Sequence, residues 1–303
     1  MLNKYVFLPF LMILICAPAY AKTGCGEKGV WLQVLGSGGP ELNDGRASSG
    51  YLIWREGKAR LIIDIGSGSM FRFEQSGASL NDLDVILLSH MHVDHTNDLP
   101  ALLKASFFTG RNRDLPIYGP TGNRFMPSVS NFLEDLFGLD GAYQYLNSYL
   151  DGTDIYRLLP HDVDAKGKAE QLVLSDSRYR LTAVPVHHGP LPALAWRVEI
   201  AGKTLVFSGD MNNDNGTLVN LAKQADLLVA HHAVPEGITG VARNLHMPPS
   251  VIGKIAAKAR VKLLVLSHRM NRTLGQEQTS TALIRQTYNG PMQFADDLQC
   301  FRL

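Results

Sequence analysis

Residues 85–95 of the chain read Val85-Ile86-Leu87-Leu88-Ser89-His90-Met91-His92-Val93-Asp94-His95. The apolar half is typical of a buried β-strand, and the polar half begins where that strand is predicted to end. Side chains alternate in extended backbone, so His90 and His92 point the same way and can share one metal ion. Asp94 and His95 follow as the chain turns, where they can face a neighbouring ion. Imidazole and carboxylate ligands suit zinc, with manganese or iron as alternatives.

Four residues do not complete the coordination shells of two ions, so further ligands are needed. The candidates lie at later strand ends. Predicted strands end at His187-His188, at Asp210 and at His268. Active sites in α/β proteins collect at such strand ends. We therefore expect a site for two divalent metal ions, with Asp210 able to bridge them and either His187 or His188 as a ligand. Asp64, also at a strand end, is predicted to orient a ligand imidazole, with a helix or turn cap as the alternative.

The rest of the chain alternates apolar strands with amphipathic helices. Strands are predicted over residues 31–35, 51–54, 60–65, 85–89, 116–118, 179–186, 193–200, 204–208, 225–230, 261–267 and 292–303. Helices are predicted over residues 100–108, 121–137, 141–150, 216–224, 248–259 and 279–288. This pattern favours an α/β fold, a four-layer αβ/βα sandwich with two central mixed sheets and helices outside. Residues 22–303 are predicted to form one domain, with an insertion or lid around 138–178, where apolar residues are sparse.

The first two dozen residues have the composition of a targeting segment. Lys4 precedes an apolar run over residues 5–16, and small residues occupy positions 19 and 21. This pattern predicts a signal peptide over residues 1–21. The alternative, a membrane anchor, is less favoured because a span needs roughly 20 apolar residues. We expect cleavage to leave no stable membrane anchor and the protein to be periplasmic or secreted.

The predicted mature chain is neutral and keeps two cysteines. Without Lys4 it carries 28 basic and 28 acidic residues, whereas a nucleic-acid enzyme usually shows a basic excess. Cys25 and Cys300 lie near the two ends of the mature chain. Disulfides persist in exported proteins, so a bridge between these residues is one expectation, and two unrelated buried thiols are the other.

These motifs resemble the metallo-β-lactamase superfamily, whose signature is His-x-His-x-Asp-His. Within it the chain is most similar to the branch of tRNA 3′-processing endonuclease Z and its phosphodiesterase and arylsulfatase relatives. The similarity runs from about residue 31 to residue 268 and includes Leu35-Gly36-Ser37-Gly38, Ile117-Tyr118-Gly119-Pro120, Ser208-Gly209-Asp210 and Leu266-Ser267-His268. Gly189-Pro190-Leu191-Pro192 follows His188, where thiolesterase and lactonase members carry Thr-Pro-Gly. This difference favours the phosphodiesterase-like branch.

The resemblance implies a fold of the metallo-β-lactamase type and a role for each ligand. One ion would be bound by His90, His92 and His188, the other by Asp94, His95 and His268, with Asp210 bridging them. In the endonuclease branch, a histidine that opens the penultimate helix assists proton transfer, and His246 occupies that position. His232 stands where that branch has a carboxylate that would pair with this histidine, so we expect His232 to support His246.

The resemblance also bears on partners. The glycine- and lysine-rich arm that grips tRNA in the endonuclease branch is not visible between residues 138 and 178. Because the predicted mature chain is also neutral and exported, we expect no tRNA partner. A small-molecule ester is the expected substrate, and a homodimer is left open.

The predicted activity is hydrolysis of a small phosphodiester, with a cyclic nucleotide as one candidate. A hydroxide shared by two metal ions would attack phosphorus. Asp94 would orient the nucleophile or accept its proton, and His246 would protonate the leaving oxygen. Two alternatives use the same fold: a hydrolase of aryl sulfates, lactones or β-lactams, and a non-catalytic binding protein. The complete set of ligands favours an enzyme.

Overall fold

The computed structural model describes residues 24–303, so the predicted signal peptide at residues 1–21 lies outside the described part of the chain. Within that part, runs rich in Val, Ile and Leu form two sheets of seven strands each. The first sheet contains β1 (Val30–Gly36), β2 (Gly50–Arg55), β3 (Lys58–Ile65), β4 (Val85–Leu87), β5 (Leu115–Pro120), β6 (Leu158–Val163) and β14 (Cys300–Arg302). The second contains β7 (Gln171–Ser175), β8 (Tyr179–His188), β9 (Leu191–Ile200), β10 (Lys203–Phe207), β11 (Leu227–His231), β12 (Leu263–Ser267) and β13 (Met292–Phe294).

Each sheet is antiparallel on one side and parallel on the other. The first has the order β14-β1-β2-β3-β4-β5-β6, and its pairing becomes parallel from β3 onwards. The second has the order β13-β12-β11-β10-β9-β8-β7, and β10 to β13 are its parallel strands. Both sheets are therefore mixed, as predicted.

Helices cover the outer faces of the two sheets. They are α1 (Ser69–Ser76), α2 (Val93–Thr96), α3 (Leu99–Ser106), α4 (Val129–Phe137), α5 (Ser148–Asp151), α6 (Leu218–Leu221), α7 (Gly240–Leu245), α8 (Pro249–Ala259) and α9 (Glu277–Arg285). Apolar faces of α1, α3, α4 and α5 pack on the first sheet. Those of α6, α8 and α9 pack on the second. Among residues 24–303, no helix has both the length and the apolar character that crossing a bilayer requires.

The core between the sheets follows from the alternation of side chains along each strand. Ile63 of β3 faces the second sheet, whereas Ile62 beside it faces the helices. Trp196 and Phe207 from the second sheet fill the space opposite. Burying a side chain of this kind stabilises the fold by roughly 1.5–3 kcal/mol. The alternation thus produces three apolar layers, and these confirm the predicted four-layer α/β sandwich.

The segment predicted as an insertion or lid, residues 138–178, contains regular structure that the sequence analysis did not predict. It includes β6, at the edge of the first sheet, and β7, at the edge of the second. Edge strands are only half-buried, and both contain exposed residues. Their apolar pattern is therefore weaker than that of the central strands. Whether this segment acts as a lid stays a prediction.

The strand predicted over residues 292–303 is in fact two strands in different sheets. β13 belongs to the second sheet and β14 to the first. Between them Leu298 has φ +63°, a left-handed conformation that breaks extended backbone. The C-terminal segment thus crosses from one sheet to the other.

Two contacts away from the carboxyl ends of the strands join distant parts of the chain. Asp84, just before β4 in the first sheet, accepts a hydrogen bond from the hydroxyl of Tyr179, the first residue of β8 in the second sheet. Cys25 and Cys300 form a disulfide, which resolves the alternative left open by the sequence. The bridge joins the segment before β1 to β14, the strand that pairs with β1.

Candidate metal centre

The predicted ligands come together at one edge of the sandwich, where strands of both sheets end. β4 leads into His90, and β8 ends at His188. β10 leads into Asp210, and β12 leads into His268. Two groups of ligand atoms result, His90, His92, His188 and Asp210 in one, and His95, Asp210, His231 and His268 in the other. Asp210 belongs to both groups, so it lies between them.

In the first group, the nitrogens of three histidines face one another. His92 Nδ1 lies 2.9 Å from His90 Nε2 and 3.5 Å from His188 Nε2. His188 Nε2 is in turn 3.8 Å from Asp210 Oδ2. The Nδ1 of His188 lies 3.0 Å from the carbonyl oxygen of Leu245. Because a carbonyl only accepts, Nδ1 carries the proton and the lone pair of His188 Nε2 points into the site.

Within the second group, and between it and Asp94, the distances fit ligands of a common ion better than hydrogen bonds. His268 Nε2 lies 3.2 Å from Asp94 Oδ2 and 3.4 Å from Asp210 Oδ1. His95 Nε2 lies 3.5 Å from Asp94 Oδ2 and 3.6 Å from Asp210 Oδ2. Two ligands about 2.1 Å from a tetrahedral ion are about 3.4 Å apart. His95 Nε2 is buried and has no hydrogen-bond partner among the described residues, so the residues fit a divalent metal ion here.

Asp64 contacts the candidate ligand His95 directly, and it contacts His90 through Ser89. Its Oδ2 is 2.8 Å from His95 Nδ1, which leaves Nε2 of that ring towards the site. Its carboxylate also accepts hydrogen bonds from the backbone and hydroxyl of Ser89. The hydroxyl of Ser89 is 3.0 Å from His90 Nδ1. The contact between Asp64 and the imidazole of His95 agrees with the expectation from the sequence. That Asp64 orients this ring in a metal complex stays a prediction.

Two residues of the site have a backbone conformation that costs energy. Asp64 and His268 both have φ +54°, in the left-handed region that side chains other than glycine rarely adopt. Each lies where a strand turns away at its end. Such strain persists where the surrounding contacts hold the residue in place, and it is found most often at functional sites.

His231 is a site residue that the sequence analysis missed. Its Nδ1 lies 2.7 Å from Asp210 Oδ1, and its Nε2 lies 3.1 Å from the hydroxyl of Tyr51. Both ring nitrogens thus have protein partners, whereas Asp94 directs a carboxylate oxygen towards His95 and His268. The second group contains His231 and not Asp94, but these contacts favour Asp94 as the predicted ligand and His231 as the residue that holds Asp210. The signal was its position at the end of β11, beside His232.

His232 faces away from the site, and this corrects the expectation that it supports His246. Its Nε2 lies 2.9 Å from the hydroxyl of Ser280 in α9, and its ring packs at 5.6 Å from that of Phe294. Successive residues of a strand point to opposite faces, so when His231 faces Asp210, His232 faces the outer helices.

The same alternation separates the pair at the end of β8. His188 lies in the first ligand group, whereas His187 lies outside both groups. The Nδ1 of His187 is 2.7 Å from Asn212 Nδ2, and its side chain is 42% exposed. Of the two alternatives left open by the sequence, the structure favours His188.

His246 lies in the wall of the cavity above the ligands. The cavity has a volume of about 390 Å³ and is lined by His92, Asp94, His188, Asp210, His246 and His268, with Pro40, Val241, Ala242, Leu245, Met270 and Arg272 around them. His246 Nδ1 is 3.8 Å from Asp210 Oδ1 and has no hydrogen-bond partner among the described residues. His246 directly follows α7, which also lines the cavity. Because the residue lines the cavity, His246 is placed to contact a bound substrate.

The electrostatics of the site favour cations. Burial raises the pKa of Asp210, but the nearby His268 and His246 outweigh it and hold that pKa well below its usual value. The pKa of Asp94 is lowered in the same sense, since His95 and His268 outweigh its burial. Both carboxylates are therefore ionised at neutral pH and require positive charge.

The rings of the first group have the protonation state that metal binding needs. Burial lowers the pKa of His90, His92 and His188 below the usual histidine value. Neutral imidazole has a free lone pair, which protonated imidazole lacks. At neutral pH these three residues can therefore act as ligands.

Ionised carboxylates, the neutral imidazoles of the first group and an open cavity are features that a metal-dependent hydrolase needs. Residues 60–269 match the family model described as a beta-lactamase superfamily domain. The match covers more than half of the chain, and the protein belongs to the metallo-β-lactamase superfamily. The predicted family and the predicted enzyme class are confirmed.

Three similar proteins show how far the likeness extends. Ribonuclease Z of Mycolicibacterium paratuberculosis is 27% identical over 281 residues, which cover 88% of this chain and 95% of the relative. The metallo-beta-lactamase fold protein YhfI from Bacillus subtilis has a TM-score of 0.69 at 20% identity and covers 90% of this chain and 98% of its own. The short form of human tRNase Z has a TM-score of 0.68 at 20% identity, with 89% and 98% covered. At this identity the two structures show the fold alone.

The expectation that tRNA is not a partner is wrong as it stands. It is contradicted by the relatives named ribonuclease Z, whose similarity spans nearly the whole chain. The expectation rested on a neutral net charge and on the missing arm. Net charge is an average over the molecule and does not describe one surface. Neither observation was therefore a measure of what the site can bind.

Proposed function

We propose that this protein is a two-metal phosphodiesterase, with zinc as the preferred ion. The observation that carries the proposal is the sharing of Asp210 between two groups of ligand atoms that open into one cavity. Ions held there would supply Lewis-acid activation of water and of the phosphoryl oxygens. A cavity of about 390 Å³ accommodates a group of nucleotide size, so a small phosphodiester, such as a cyclic nucleotide, is the first candidate substrate.

The residues of the chain would divide the work of hydrolysis. Asp94 lines the cavity as an ionised carboxylate, so it can orient the attacking water and accept its proton. His246 is the proton donor to the leaving oxygen. Burial lowers the pKa of His246 to about 3, but a phosphodiester anion beside the ring would raise that pKa, because negative charge stabilises the protonated ring.

The test is a substrate panel for the metal-loaded protein. It contains bis(4-nitrophenyl) phosphate, a cyclic nucleotide, an aryl sulfate, a lactone and a cephalosporin. We expect the highest kcat/KM with a phosphodiester, and loss of that activity after chelation and its return on adding zinc. A higher kcat/KM for the sulfate, lactone or cephalosporin would assign the site to another ester or amide. No turnover of any substrate would favour a binding protein.

A second candidate substrate is a tRNA precursor, favoured by the relatives named ribonuclease Z. The panel therefore includes a tRNA with a 3′ extension. Cleavage at the end of the mature tRNA would place the protein with those relatives in function. Hydrolysis of the small phosphodiesters alone would separate it from them.

We also propose that the protein is exported to the periplasm or secreted. The targeting pattern of residues 1–21 and the disulfide between Cys25 and Cys300 support this location, since disulfides persist in oxidising compartments. Fractionation of cells that express the full chain, followed by N-terminal sequencing, tests the proposal. We expect exported protein that begins at Lys22. Cytoplasmic protein that begins at Met1 would contradict it.

A further inference from the structure

A second cavity lies beside the metal centre and has no role in the mechanism above. It has a volume of about 390 Å³ and is built from the end of β5, the loop between β6 and β7, and the β8–β9 turn. Its lining includes Lys166, Lys168 and His187, and none of the described residues that line it is Asp or Glu. The cavity is therefore positively charged at its rim.

Hydrogen bonds hold the walls of this cavity together. Asn123 Nδ2, after β5, donates to the carbonyl oxygen of Pro190 in the β8–β9 turn at 2.7 Å. The backbone nitrogen of Ala165 donates to Thr121 Oγ1 at 3.0 Å, which joins the β6–β7 loop to β5. The cavity is thus a built feature in which three elements are fixed to one another.

The two lysines have their charges available for a ligand. Lys166 and Lys168 flank Gly167, whose φ of +80° lets the loop turn sharply. Both lysines are exposed, and neither forms an ion pair with the described part of the chain. The carboxylate of Asp164 in the same loop accepts a hydrogen bond from the backbone nitrogen of Lys166 at 3.0 Å but forms no ion pair with either ammonium group. Two neighbouring cations repel each other, and an anion between them would relieve that repulsion.

His187 adds a hydrogen-bond donor to the same cavity. Its Nδ1 faces the side-chain amide nitrogen of Asn212 at 2.7 Å. Because an amide nitrogen only donates, the neutral ring accepts at Nδ1 and carries its proton on Nε2. The Nε2–H group has no partner among residues 24–303, so it can donate to a ligand.

The cavity lies next to the bond that the metal centre would hydrolyse. His187 lines this cavity, and His188 lines the cavity of the metal centre. The Cα atoms of neighbouring residues are about 3.8 Å apart. The end of β8 therefore separates the two cavities, and a substrate that contacts both would pass around the β8–β9 turn.

We propose that this cavity is a phosphate subsite, which binds a second phosphate on the substrate beside the phosphodiester that is cleaved. The inference rests on the proposed phosphodiesterase function. Two ammonium groups and one N–H donor suit the charge and the several acceptor oxygens of a phosphate. The substrate class is then a phosphodiester with a further phosphate, as in a terminally phosphorylated dinucleotide or a nucleic acid strand.

The experiment compares metal-loaded wild type with the double variant Lys166→Gln/Lys168→Gln. The substrates are a dinucleoside monophosphate and the same molecule with a 5′- or a 3′-phosphate. We expect wild type to have the lower KM for one phosphorylated form, and the variant to raise that KM about tenfold, as loss of a charge-assisted hydrogen bond would. The KM of the unphosphorylated molecule should stay the same.

The control is Lys28→Gln/Lys223→Gln, which removes the same charge from exposed positions outside this cavity. An equal rise in KM for the control, or for the unphosphorylated substrate, would overturn the subsite, because long-range attraction would then explain the effect. A 3′-extended tRNA precursor is assayed in parallel. A lysine-dependent KM for the dinucleotide or for the tRNA supports the subsite and identifies the source of the phosphate.

Binding of inorganic pyrophosphate to the metal-loaded protein separates the two proposals. Calorimetry should show about tenfold weaker binding, or the loss of one binding event, in Lys166→Gln/Lys168→Gln relative to the control. If no phosphodiester is hydrolysed, the proposed function fails and this titration alone decides the subsite. Identical titrations for the two double variants would overturn the subsite, whatever the protein hydrolyses.

Discussion

Asp210 is the residue on which both halves of the metal centre depend. Its Oδ2 lies 3.8 Å from His188 Nε2 in the first group, its Oδ1 lies 3.4 Å from His268 Nε2 in the second, and His231 Nδ1 contacts Oδ1 at 2.7 Å. Replacing it with Ala removes negative charge and the carboxylate that belongs to both groups of ligand atoms. We expect Asp210→Ala to lose most of its bound metal and kcat/KM to fall about 10³-fold, more than the roughly 10–100-fold cost of removing a residue that supports a ligand.

Elemental analysis after dialysis, together with turnover of bis(4-nitrophenyl) phosphate, measures this prediction. The matched control is Asp214→Ala, a carboxylate four residues later whose side chain is 59% exposed. Its metal content and turnover should match those of wild type. Full metal content in Asp210→Ala, or an equal loss in the control, would contradict the assignment.

A substitution of His246 tests whether proton transfer can be lost while metal binding is kept. It lines the cavity but lies outside both ligand groups. We expect His246→Asn to keep its metal and to slow cleavage of substrates with poor leaving groups by about 10²–10⁴-fold, the usual contribution of a positioned acid or base. Turnover of a 4-nitrophenyl ester should change much less, because that leaving group needs little protonation.

The comparison of an alkyl and a 4-nitrophenyl phosphodiester therefore decides the role of His246. His161→Asn, which changes an exposed histidine on β6 that stacks on Tyr118, is the control. Equal slowing of both substrates, or loss of metal, would show that His246 supports the site in some other way.

At the scale of residues, the sequence predicted the centre better than its surroundings. The cluster from His90 to His95 was identifiable because its ligands are contiguous and follow an apolar strand. The pairs His187-His188 and His231-His232 were harder, because only one member of each faces the site. Because side chains alternate along a strand, the two members of each pair face opposite ways. Which member faces the site depends on the register of the strand, and this register is set by tertiary contacts.

At the scale of elements, a network around Asp84 fixes the start of β4, the strand that leads into the ligand cluster. Asp84 accepts hydrogen bonds from the hydroxyl of Tyr179 and, at 2.6 Å, from Arg113. Arg178 lies 3.2 Å away. Burial alone would raise the pKa of Asp84, but the hydrogen bonds and guanidinium charges outweigh it and lower that pKa below its usual value near 3.8.

The lowered pKa of Asp84 determines how the stability of the protein changes with pH. The ionised form of Asp84 is favoured more in the folded than in the unfolded protein, so its stabilising contribution is complete above the unfolded pKa. It is lost as the pH falls through the folded pKa. We expect Asp84→Asn to lower the free energy of unfolding by about 2 kcal/mol at pH 7, a moderate value because its arginine partners are about half exposed. The difference from wild type should shrink below about pH 4.

Urea unfolding of wild type and Asp84→Asn between pH 3 and pH 8 measures this difference. Asp82→Asn, which changes a neighbouring carboxylate 3.8 Å from Lys58, should cost less than about 0.5 kcal/mol at any pH. A difference between wild type and Asp84→Asn that stays constant over the whole range would mean that ionisation of Asp84 does not contribute.

α7 is an element that the sequence did not predict, and it has little buried surface. None of its residues is buried, and Gly237 before it and Gly240, its first residue, have positive φ, so its composition resembles a loop. It is nevertheless the element that places His246. The central strands were predicted because burial on both faces gives them continuous apolar runs, whereas elements at the rim are held by contacts distant in sequence.

At the scale of the whole molecule, the disulfide between Cys25 and Cys300 connects positions that are 275 residues apart. It closes nearly the whole described chain into a loop, so it restricts the unfolded state strongly in the chain-entropy description. We expect Cys25→Ser/Cys300→Ser to fold with an intact metal centre, since the bridge lies at β14 and the ligands lie at the ends of other strands. The free energy of unfolding should fall by about 2–4 kcal/mol.

Guanidinium unfolding of the oxidised, reduced and doubly substituted proteins measures the effect, each in its metal-free form so that ligand binding adds nothing. The reduced wild type is the control, because it should unfold at the same denaturant concentration as the double variant. Peptide mapping without reductant should recover the linked peptides from the oxidised wild type alone. Coincident unfolding of the oxidised wild type and the variant would mean that pairing of β1 with β14 closes the sheet without the bridge.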